Sequence, residues 1–313
     1  MRIYVFCGGM YRACSTWQYE IASRLIEERL GGRRIGYLTG RELAELDDRR
    51  DRRAETERQR SDQPWPPPNA EWLVVKSHEE SPRIARILSE NRGLAIYAYR
   101  DLRDVVFSMM HKRGVAFETF VAQGMIHQIL ANDRFWMSRP RVLVQRYDDL
   151  IGDPASAARR LAGHLGLTLS VDESESLARE FSREANQERA KAFRNRLIAD
   201  GVNLDDPANQ QLSDPETLLH WNHVREGQPK TWRELATPAQ QRILAKLCGR
   251  WLMDRGYETD RAWAPDSKRW RFDAAEQMLF SQARWHGSLQ RLSLRFPNAS
   301  ARLKTWLGAK NEP

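Results

Sequence analysis

Cysteine is scarce in this chain. Cys7, Cys14 and Cys248 are three among 313 residues, too few and too scattered for a disulfide framework or a zinc knuckle. No apolar run is long enough to span a bilayer. The N-terminus has a single early Arg2 before a short strand-like run and lacks the charged leader and cleavage site of a secretion signal, so cytoplasmic residence is the expectation. There is no internal repeat and no G-x-x-x-x-G-K-[ST] loop, which argues against an ordinary nucleoside triphosphatase. Acidic residues are outnumbered, 42 against 50 Lys and Arg, and the formal charge of +8 suits an anionic ligand, acceptor or surface without choosing among them.

What is present is organised around Ile3 to Leu30. Ile3, Val5 and Cys7 read as a buried strand, Gly8 to Ser15 as a tight loop, and a helix opens near Thr16 with Trp17, Ile21, Ala22 and Leu25 at helical spacing. Orphan N–H groups and the positive end of the helix dipole favour an anion there, and Gly8 and Gly9 are expected to let the backbone turn toward it. Arg12, Ser15 and Thr16 add side-chain donors. Cys14, at the helix start, is read as a small loop residue rather than a reactive thiol.

Arg33 to Leu38 predicts a second strand, and the densely charged residues 41 to 62 a solvated helix ending at Pro64-Trp65-Pro66-Pro67-Pro68. Glu71 to Val75 predicts a strand delivering Lys76-Ser77-His78, and Leu94 to Tyr99 another delivering Arg100-Asp101, with a helix over 82 to 91 between them. Strand and helix in alternation predict a parallel sheet with helices on both faces, whose ligand lies beyond the carboxyl ends of the strands. Phe117 to Met137 reads as one long helix, Arg141 to Gln145 as a strand, and Ala155 to Leu165, 172 to 200 and Thr237 to Gly256 as helices.

Five segments, in order over about residues 3 to 257, resemble the landmarks of sulfotransferases that use 3′-phosphoadenosine 5′-phosphosulfate (PAPS). Tyr11-Arg12-Ala13-Cys14-Ser15-Thr16-Trp17 resembles the phosphosulfate loop Y-P-[KR]-S-G-T-T-W. Lys76-Ser77-His78 resembles K-T-H, and Tyr99 to Ser108 resembles the 3′-phosphate motif Y-R-[DN]-x-[KR]-D-x-x-x-S. Tyr147-Asp148-Asp149-Leu150 resembles Y-E-D-L, and Arg225-Glu226-Gly227 with Trp232 resembles the late R-K-G…G-x-W segment. Ala13-Cys14 in place of Ser-Gly, and Glu226 in place of Lys, depart from the pattern.

The resemblance implies an α/β fold, with a central parallel β-sheet flanked by helices in the P-loop nucleotide-kinase-like sulfotransferase manner. It implies transfer of a sulfuryl group from PAPS, without a metal, to a hydroxyl or amine of a small-molecule, lipid or carbohydrate acceptor; nucleic acid is not an expected partner. By motif match His78 is the general base, with Glu79 or Glu80 as fallback, while Arg12 and Lys76 stabilise the transition state. Arg12, Ala13, Cys14, Ser15 and Thr16 would hold the phosphosulfate, and Arg100 and Ser108 the 3′-phosphate. Arg225, Glu226 and Gly227 would close over that phosphate; Trp17 would stack on adenine and Tyr147 contact the base edge. His111, His127, Arg134 and Trp136 are candidates for the acceptor pocket.

The expected organisation is a sulfotransferase domain over 1–261 and a helical extension over 262–313. The extension interleaves Trp263, Trp270, Phe280, Trp285 and Trp306 with Arg and Lys, and is expected to pack on the domain, with contact to an anionic membrane surface as the other reading. Two competing functions remain: a small-molecule or nucleotide kinase on a P-loop-like scaffold, and a degenerate, non-catalytic nucleotide-binding module. The acceptor's identity and the oligomeric state are not legible in the sequence.

Overall fold

The apolar runs at 3–7, 72–75 and 94–98 are strands buried on both faces, so they read as continuous rather than alternating. The computed structural model of the protein describes residues 1–39, 42–43, 65–222, 231–265 and 271–295. Strands β1 (Arg2–Gly9), β2 (Arg33–Tyr37), β3 (Glu71–Lys76), β4 (Gly93–Tyr99) and β5 (Val142–Arg146) form one sheet in the order β2-β3-β1-β4-β5. Every pairing in it is parallel. Successive side chains enter opposite cores: Tyr4, Phe6, Leu73, Val75, Ala95 and Tyr97 share one, and Ile3, Val5, Trp72, Val74, Leu94 and Ile96 the other.

Twelve α-helices are described. They are α1 (Ser15–Arg29), α2 (Pro82–Ser89), α3 (Leu102–Arg113), α4 (Phe117–Ala122), α5 (Met125–Met137), α6 (Tyr147–Gly152), α7 (Pro154–His164), α8 (Val171–Glu180), α9 (Arg183–Ala199), α10 (Trp232–Leu235), α11 (Pro238–Asp254) and α12 (Ala274–Arg295). Local chemistry sets several starts. The Ser81 side chain accepts from the Arg83 amide ahead of Pro82, and the Asp101 side chain accepts from the Arg103 amide (3.0 Å). α1 and α7 cover one core, and α2, α3, α5 and α11 the other.

Two expected helices are broken. The stretch 117–137 divides at Gly124, which takes φ 72° and starts α5, and 172–200 divides at Ser182, whose side chain caps α9. The expected helix over 41–62 lies almost wholly outside the described residues. α12 lies against α4 and α5, burying Leu279, Phe280 and Ala283, while Met278, Trp285 and Leu292 are exposed on its outer side at seven-residue spacing. No helix among the described residues is long and apolar enough to cross a membrane.

Candidate active site

The chain leaves β1 for one side of the sheet and later returns past it to β4, so a crevice opens where β1, β3 and β4 end. The loop from Met10 to Cys14 fills the turn between β1 and α1. The Met10 amide donates to the Ala98 carbonyl (2.8 Å), tying the loop to β4, and the Ala13 amide returns to the Met10 carbonyl (3.2 Å). Arg12 and Cys14 both adopt left-handed backbone, with φ 64° and 65°.

The glycines therefore serve a purpose other than the expected one. Gly8 and Gly9 close β1 in extended backbone, and the turn is made by Arg12 and Cys14. A Cβ on Gly8 would sit 2.6 Å from the Trp136 ring, and one on Gly9 would sit 2.7 Å from Ser15 Cβ. Close packing, not turning, requires them. Cys14 occupies the N-cap of α1 without a side-chain hydrogen bond, and the first turn carries no acidic residue, which leaves the helix start open to an anion. Burial pushes the Cys14 thiol up to about 11, so it is a protonated loop residue.

Around this loop the structure brings together most of the residues singled out by sequence. Arg12 Nε donates to Ser108 Oγ (3.1 Å), and Arg100 Nη1 donates to the Arg12 carbonyl (3.4 Å). The Arg100 guanidinium lies 4.3 Å over the Tyr147 ring, and its Nη2 reaches Asp104 Oδ2 at 3.5 Å. Its Nε is buried without a hydrogen-bond partner among the described residues, a polar atom that a ligand oxygen would satisfy. Lys76, 5 % exposed, donates to Thr16 Oγ1. Ala13 and Ser15 are buried and Trp17 is half-buried between the two cores. Arg225, Glu226 and Gly227 lie outside the described residues.

His78 is held on three sides. Its Nδ1 lies 2.8 Å from the Gly9 carbonyl, which only accepts, so Nδ1 carries the proton and Nε2 keeps a lone pair. Trp136 Nε1 donates to the His78 carbonyl (3.4 Å), and the Tyr11 ring sits 4.7 Å from the imidazole. Of the acceptor-pocket candidates, Trp136 is fully buried beneath Gly8, His127 lies under α12 at Gly287, and His111 and Arg134 are exposed. Glu79 acts electrostatically on Tyr11 and Tyr37, and the Glu80 amide donates to Asn132 Oδ1 (3.2 Å).

Two groups at the site were missed by sequence reading. Lys112 follows Ser108 by four residues, and that i,i+4 step from an assigned residue is the signal that points to it. His220 comes from an irregular segment and has no sequence signal. The two bases join Lys76 and His78 in one electropositive region where each is pushed toward its neutral form. Burial lowers Lys76 and Lys112 to about 8, with Arg12 repulsion adding to Lys112. Burial and then Lys76 lower His78 to about 3; burial, then Lys112 and Lys76, lower His220 to about 4.

The sulfotransferase domain matches residues 67–256, well over half of the chain. The chain belongs to the sulfotransferase domain family. No curated protein matches this sulfotransferase in sequence. Among solved structures it is similar to retinol dehydratase in a complex with retinol and PAP, at 21% identity and TM-score 0.51 over 81% of this chain and 82% of that one. Retinol dehydratase in complex with androsterone and inactive cofactor PAP gives 0.50 at the same identity and coverage. Mouse sulfotransferase SULT7A1, complexed with PAP, gives 0.54 at 16% identity over 82% and 87%. At these identities the likeness is one of fold, and the parallel sheet with a P-loop-like turn after β1 is the fold expected of the family.

Proposed function

We propose that this sulfotransferase moves a sulfuryl group from PAPS to a hydroxyl or amine by in-line displacement. Bound PAPS would supply the sulfuryl group and, as its S–O bond breaks, the adenosine bisphosphate (PAP) leaving group. Arg12, Ser15, Thr16 and the start of α1 would hold the 5′-phosphosulfate, and Arg100 with Ser108 the 3′-phosphate. Tyr147, beneath the Arg100 guanidinium, would contact the base edge, and Trp17 would stack on adenine. The acceptor oxygen or nitrogen bonds to sulfur while its proton passes to His78 Nε2. Charge then builds on the leaving phosphate, and Arg12 and Lys76 are the cations assigned to it.

The observation that carries this reading is the 2.8 Å contact of His78 Nδ1 with the Gly9 carbonyl. A neutral imidazole, its Nδ1–H donating to Gly9 and its Nε2 unprotonated, stands on the β1 end from which the anion-binding loop departs. His78→Ala should lower kcat by about 10²- to 10⁴-fold while PAP affinity stays within about twofold. Unchanged turnover would remove His78 from the mechanism. The strain at Cys14 favours the non-catalytic alternative, which predicts PAP binding in calorimetry with no transfer to any acceptor of a broad panel.

A further inference from the structure

α3 carries a residue for which donor binding provides no task. Asp104, Ser108 and Lys112 recur every fourth residue and share a helix face. Asp104 and Ser108 engage Arg100 and Arg12. Lys112, one turn further on, is half-buried and makes no hydrogen bond or ion pair among the described residues. Among the described residues the charges acting on it are Arg12 and Arg113, both repulsive. Its own field reaches Lys76, His78 and His220. His220 is bridged to Ser213, and its ring donates to the backbone of Leu212 and Gln211.

A half-buried ammonium whose charged neighbours among the described residues are cations is costly, and a bound anion would offset that cost. The donor's phosphates already have partners, in Arg100 and Ser108 at the start of α3 and in the loop before α1. Lys112 lies about 6 Å further along the helix axis from Ser108, and its field reaches the imidazole that would take the acceptor's proton. We infer that Lys112 binds an anionic group on the acceptor. The acceptor class is then a hydroxyl or amine compound that also carries a carboxylate, sulfate or phosphate. This rests on the sulfotransferase reading of the same site.

The test separates donor from acceptor. Inorganic phosphate is titrated calorimetrically into PAP-saturated wild type, Lys112→Gln and Lys112→Arg. Lys112→Gln should weaken phosphate binding about tenfold or more, Lys112→Arg should retain it, and PAP affinity should stay within about twofold in all three. With PAPS and a panel of hydroxyaryl acids paired with their methyl esters, wild type should prefer the acids and Lys112→Gln should lose that preference. The inference is overturned if the Lys112→Gln loss falls on PAP, if phosphate binding ignores the substitution, or if no acid reacts faster than its ester. If PAP does not bind wild type, the sulfotransferase reading fails instead, and phosphate titration of the ligand-free protein still decides whether Lys112 is an anion site.

Discussion

In the proposed reaction Lys76 works charged and His78 works neutral, and burial is the leading influence on both. Lys76 is lowered to about 8, so it holds its positive charge below that pH and loses it above. Because kcat/KM reports the free enzyme, kcat/KM for the donor should fall as pH rises through about 8. His78, lowered to about 3, is already unprotonated at ordinary pH and should impose no acid limb above about pH 5. A pH profile with an acid limb near 6.5 and a flat alkaline side would contradict both assignments. Cys14 carries a different cost. Left-handed backbone is unfavourable for any residue with a Cβ, so Cys14→Gly should stabilise the protein by about 1 kcal/mol in urea unfolding, even after glycine's greater unfolded-state entropy. Motif resemblance singled out Arg12, Lys76, His78, Arg100 and Ser108 in the sequence, and the fold gathers Arg12, Arg100 and Ser108 about one loop, with Lys76 on Thr16 and His78 on Gly9. Lys112 was legible only by extending the helical face of Ser108, and His220 only through a bridge that folding creates.

At the scale of elements, the sequence placed strands well and helix breaks poorly. Apolar runs ending in Lys76 and Tyr99 mark strands because both faces of the sheet are covered. Phe117, Phe120, Val121, Met125, Ile126 and Ile129 are all buried, and their helical spacing hides the break at Gly124. The reason for that break is tertiary: α12 crosses there, and a Cβ on Gly124 would lie 2.5 Å from the Gly287 amide nitrogen. Gly124→Ala would meet backbone and a φ of 72° together, and should destabilise by about 1–3 kcal/mol in denaturant melts. A loss below about 0.5 kcal/mol would mean that the α12 crossing is not held in solution. Beyond the sheet, Arg103 lies 3.9 Å from the Trp232 ring and 4.4 Å from the Trp263 ring, which meet edge to face, and is paired with Asp101 and Glu258. This anchors the late segment to the start of α3, beside the proposed 3′-phosphate grip.

For the molecule as a whole, strand and helix in alternation predicted a parallel sheet but not its order, which depends on where each helix finds its apolar partner face. The order β2-β3-β1-β4-β5 brings the ends of β1, β3 and β4 together, and with them the loop at 10–14, His78 and Arg100. In the proposed function this convergence recognises an adenosine nucleotide by its 3′-phosphate. The most direct test is calorimetry of PAP against 5′-AMP, which differ only in that phosphate, on wild type and Arg100→Gln. PAP should bind wild type at least about 30-fold tighter than 5′-AMP, with most of that gap lost in Arg100→Gln. Equal affinity for the two nucleotides in wild type would contradict it.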